Sequence, residues 1–65
     1  MIAAKDSSGR ILLMAKEHNL KPLLREIDGT WNETIITGYD LNYFVLIQDK
    51  TELDNILKEA LENNK

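Results

Sequence analysis

The stretch Asp6-Ser7-Ser8-Gly9-Arg10-Ile11-Leu12-Leu13-Met14-Ala15-Lys16-Glu17-His18 decides the fold, because it supports two opposed readings. In the first, Asp6 to Arg10 is a type I turn with a glycine bulge. It joins Ile2-Ala3-Ala4 to a strand over Arg10–Lys16, as longer hairpin loops do. In the second, Ser8 caps a helix over about 8–19, supported by the helix formers Leu12 to Glu17. The hairpin is the favoured reading. It gives an antiparallel β-meander of three to five strands, whereas the helix gives an α-β-β-β-α order. Pro22 ends either element or opens the next strand at an edge.

Downstream, Ile27-Asp28-Gly29-Thr30 is a hairpin signal, since Asp-Gly accommodates the positive φ of a type I′ turn. It joins a strand over Leu23–Ile27 to one over Thr30–Thr37, and Gly38 to Asn42 supplies a looser turn. Tyr43-Phe44-Val45-Leu46-Ile47 is too short for an uncapped helix and rich in aromatic and β-branched residues. Both its faces are apolar, the pattern of a central strand covered on two sides.

The chain closes in an amphipathic helix over Lys50–Asn63. Leu53, Ile56, Leu57, Ala60 and Leu61 recur at i, i+3, i+4, i+7 and i+8, one apolar stripe that packs on one face of the sheet. Asp49 or Thr51 can cap it, and Asp54 with Lys58 forms an acid-before-base pair one turn apart. The fold class is therefore α+β, in one small domain over residues 1–65.

Composition excludes several functions. With no cysteine and one histidine, neither a disulfide nor a zinc site of the usual nitrogen and sulfur ligands is expected. No cofactor is implied. The longest apolar run, Ile11 to Ala15, is far shorter than the roughly 20 residues that span a bilayer. The N-terminus lacks the basic and apolar regions of a secretory signal, so a cytoplasmic protein of bacterial or phage type is expected. Asn32-Glu33-Thr34 then matches the glycosylation sequon by chance.

Charge is uneven: residues 1–25 hold five basic and two acidic side chains, whereas 26–65 hold nine acidic and three basic. Such polarity suits an electrostatically complementary contact, with a partner or with a second copy. Arg10, Lys16, Lys21 and Arg25 could touch phosphates. A pI near 4.9 argues against nucleic acid, as does the acidic helix carrying Glu52, Asp54, Glu59 and Glu62. The helix-first order resembles double-stranded RNA-binding domains only superficially. Their basic cluster at the start of the last helix is replaced here by Thr51-Glu52-Leu53-Asp54.

His18 could act as a base only with Ser7 or Ser8 beside it, and a surface turn in Glu17-His18-Asn19 explains it better. Ser7 to Arg10 could cradle a phosphate only if it opened a helix. No catalytic pair is visible, so an enzyme is not expected. Trp31, Tyr39 and Tyr43 are the expected partner-binding residues, because such aromatics bury much area at little entropic cost. The expected function is protein–protein interaction, with homodimerisation through an uncovered sheet face or an edge strand. The alternative is a nucleic-acid-associated regulator using the four basic residues.

Overall fold

The computed structural model describes residues 1–35 and 41–63. Five strands form one antiparallel sheet: β1 (Ile2–Lys5), β2 (Ile11–Met14), β3 (Leu23–Arg25), β4 (Trp31–Glu33) and β5 (Val45–Leu46). Short 3-10 turns occupy Lys16–His18 and Leu41–Tyr43, and the helix α1 (Lys50–Asn63) follows. The α+β arrangement is the expected one. The helix over 8–19 does not form. Ile11 to Met14 instead pairs along both edges, with β1 and with β3.

The two hairpins are alike, and the second corrects the type I′ expectation. In each, the glycine N–H bonds back to an acidic residue's carbonyl, Gly9 to Asp6 at 3.2 Å and Gly29 to Glu26 at 2.9 Å. Each glycine has positive φ, 98° and 89°, and Asp28 does not. The loops are thus three residues long, a type I turn with a glycine bulge. Side chains reinforce the choice. The Asp6 carboxylate accepts from the Ser8 and Arg10 N–H groups at 3.0 and 2.9 Å, and Asp28 accepts from the Thr30 N–H at 2.9 Å.

Strand order is β4-β3-β2-β1-β5. The meander is therefore β1 to β4, and β5 lies beyond β1 instead of beside β4. The expected central strand over Tyr43–Ile47 is likewise overturned. Only Val45 and Leu46 pair, at the sheet's edge, with Lys5 and Ala4, and Tyr43 ends a 3-10 turn. The central strand is β2, whose Ile11, Leu12 and Leu13 are all buried. Turns at both of its ends bring a neighbour to each side, a position that residues after the long connection cannot share.

Alternation along the paired strands sorts the core into two faces. Ala3, Ile11, Leu13 and Leu23 face α1 and form one cluster with Ala15, Leu20, Ile47, Ile56 and Ala60. Leu53, Leu57 and Trp31 pack at its margin. Ala4, Leu12 and Leu24 are also buried, yet they belong to the opposite face. Both faces of β2 are thus covered within one chain. Asp49 caps α1, accepting from the Thr51 N–H at 3.0 Å. The expected Asp54–Lys58 pair is not closed, and both side chains are exposed.

Candidate functional site

Of the three expected anchors, the structure places two and Tyr39 lies outside the described residues. Trp31 is half-buried on the helix side of the sheet. Its Nε1 donates to Glu59 Oε1 at 3.3 Å, while Arg25 Nη1 donates to Glu59 Oε2 at 2.9 Å. The Arg25 guanidinium carbon stands 6.0 Å from the indole centroid, at the limit of a cation–π contact. Trp31 thus joins α1 to the sheet. Tyr43 is different: it is 72% exposed, immediately before the edge strand.

The edge collects more apolar surface than sequence reasoning assigned to it. Val45 is 71% exposed, Leu46 60% and neighbouring Ile2 49%. With Tyr43 these make up half of the exposed large apolar residues among those described. Among the described residues, no strand pairs with the outer side of β5. Edge strands are commonly guarded by charge, proline or a bulge. None interrupts Tyr43-Phe44-Val45-Leu46-Ile47. That absence was readable in the sequence. Two-sided apolarity points instead to a buried centre, and so hides the edge. The other edge, β4, carries Asn32 and Glu33 instead.

The basic set is dispersed. Arg10 and Arg25 lie at the hairpin end of the sheet, and Lys16 and Lys21 flank the loop at the other. Arg10 Nε pairs with Asp6 Oδ2 at 2.8 Å, and Arg25 with Glu59. Lys5 pairs with Glu52 at 3.2 Å, and the N-terminal ammonium with Glu17 at 2.6 Å. Lys16 and Lys21 are exposed and enter no ion pair among the described residues.

Neither catalytic idea gains geometry. His18 is exposed at one end of β2, whereas Ser7 and Ser8 lie beyond the other end. The Ser8 hydroxyl donates to Asp6 at 2.8 Å. The Ser7–Arg10 turn already holds an anion of its own, the Asp6 carboxylate. Desolvation pushes the Asp6 pKa up, but hydrogen bonds from Ser8 and Arg10 and the Arg10 charge outweigh it. The net result is a pKa lowered from 3.8 to about 2. Among the described residues no three His, Asp or Glu side chains converge as metal ligands, and no helix is long and apolar enough to cross a membrane.

The chain matches no protein-family model, and no curated protein or solved structure is significantly similar to it.

Proposed function

We propose that this is a small, non-enzymatic cytoplasmic interaction protein that self-associates through its β5 edge. The observation that carries the reading is the unguarded apolar edge of Tyr43, Val45, Leu46 and Ile2. Strand addition supplies backbone hydrogen bonds, and side chains on alternate faces supply specificity. Two copies of β5 pairing antiparallel about a two-fold axis would extend the sheet across the dimer and bring Val45 and Leu46 against the second copy. A 65-residue domain buries a smaller share of its surface than a larger one, so added burial stabilises it disproportionately.

A nucleic-acid role draws less support, since two of its four basic residues are neutralised by carboxylates. Sedimentation across a concentration series tests the proposal. A mass rising from monomer to dimer is expected. A strict monomer at millimolar concentration would remove it.

A further inference from the structure

A second surface feature lies at the opposite end of the sheet from the hairpin turns. Met14, Ala15, Leu20 and Pro22 line a groove of about 480 Å³, with Lys16 and Lys21 completing its wall. A volume of that size falls within the usual range of small-molecule sites. We infer that this groove binds a small amphiphilic carboxylate, an alkyl chain with an anionic head.

The chemistry of the lining narrows the ligand. All four apolar residues are aliphatic or prolyl, so no aromatic ring is present on which a base or sugar could stack. No carboxylate lines the groove either, so a cationic head would meet only like charge. An alkyl chain suits the aliphatic lining, and Met14 adds a side chain able to adapt to its shape. Lys16 and Lys21 supply ammonium groups for the head.

These two lysines enter no ion pair among the described residues, whereas the other cations of the sheet and its first hairpin do. Lys5, Arg10, Arg25 and the N-terminal ammonium are each paired with a carboxylate. The carboxylate beside Lys16 in sequence, Glu17, is taken by the N-terminal ammonium at 2.6 Å. The hydrogen bond from that ammonium holds the Glu17 pKa below its ordinary value. Glu17 therefore competes little for the lysines.

The loop carrying the site is hydrogen-bonded in advance. The His18 N–H donates to the Ala15 carbonyl at 3.0 Å, Asn19 N–H to Lys16 at 3.0 Å and Leu20 N–H to Ala15 at 3.4 Å. Asn19 takes the left-handed conformation, φ 60°, that turns the chain back toward Leu20. A preformed loop lowers the ordering cost of binding.

Decanoate, kept below its micelle concentration, is the probe. Titration into the full chain, followed by amide NMR, should move Ala15, Lys16, Leu20 and Lys21 with one-site saturation. Decanol should bind more weakly and decyltrimethylammonium not at all. The double variant Lys16→Glu/Lys21→Glu changes two exposed positions and should keep native dispersion while weakening decanoate about tenfold. The inference is overturned by non-saturating shifts, by shifts that map instead to Tyr43–Leu46, or by equal binding of the cationic probe. It also falls if decanoate does nothing while an acidic, leucine-bearing helical peptide saturates the same amides. That outcome would make the groove a protein-docking surface.

Discussion

The Glu59 carboxylate accepts from two strands at once, from the Trp31 indole on β4 and the Arg25 guanidinium on β3. It is the side chain that sets α1 against this side of the sheet. Its side chain is 40% exposed, which screens the ion pair, so Glu59→Ala should cost about 1 kcal/mol. Glu59→Gln should cost less, because an amide oxygen can still accept from Trp31. Urea unfolding followed by Trp31 fluorescence checks both, and an unchanged midpoint for Glu59→Ala would contradict the bridging role. Asp6 carries a different signature. Its folded pKa, about 2, lies below the ordinary 3.8, so the folded chain binds fewer protons than the unfolded one between those values. The stabilisation is complete above the unfolded value and is lost as pH falls through the folded one, with an upper bound of about 2 kcal/mol. Asp6→Asn should therefore flatten the stability profile between about pH 4 and 2. An unaltered acid limb in that variant would show that the turn carboxylate is not responsible.

The elements rest on two loops of one design and on a strand buried on both sides. Gly9 and Gly29 have positive φ with open space around an added Cβ, so alanine there meets backbone strain but no clash. Gly9→Ala and Gly29→Ala should each cost about 1 kcal/mol by thermal unfolding, and neutrality at both would refute the bulged-turn assignment. Leu12 and Leu13 are 1% and 0% exposed on opposite faces of β2. Truncating either to alanine should cost about 2–5 kcal/mol, enough to unfold so small a domain at ambient temperature. A tolerant Leu12→Ala, measured by circular dichroism, would mean that the face away from α1 is not core. The first hairpin was legible because Asp-Ser-Ser-Gly carries its own turn chemistry, and α1 because its apolar period spans the whole element. Strand order was not legible. The two-sided apolar pattern occurs in both Ile11-Leu12-Leu13 and Tyr43–Ile47. Only tertiary pairing puts the first at the centre and the second at the edge. Of the candidate site, Tyr43 was found from residue type. Val45 and Leu46 were missed because exposure depends on that order.

At the scale of the whole molecule, the charge asymmetry first meets a need inside the chain. The basic first third and the acidic helix are joined by Lys5–Glu52 and Arg25–Glu59, so much of the opposite charge is satisfied at the helix–sheet interface. Electrostatic steering is then a weaker reason for association than apolar burial, and the two sheet edges become the test. Val45→Lys and Leu46→Lys place a charge on either side of β5, at positions already 71% and 60% exposed, so the monomer fold should survive. Placed against a second copy, each lysine would meet apolar surface, and the one nearer the two-fold axis would also meet its own symmetry mate. Each should raise the dimer dissociation constant at least tenfold, a change of about 1.4 kcal/mol. Asn32→Lys on the β4 edge is the matched control and should leave dissociation unchanged. Sedimentation equilibrium of the three variants, with circular dichroism confirming the fold, separates the cases. If Asn32→Lys dissociates the protein and the β5 variants do not, the copies pair through β4. If none of the three alters a measurable dimer, association does not run through the sheet edges, and pairing through β5 is refuted.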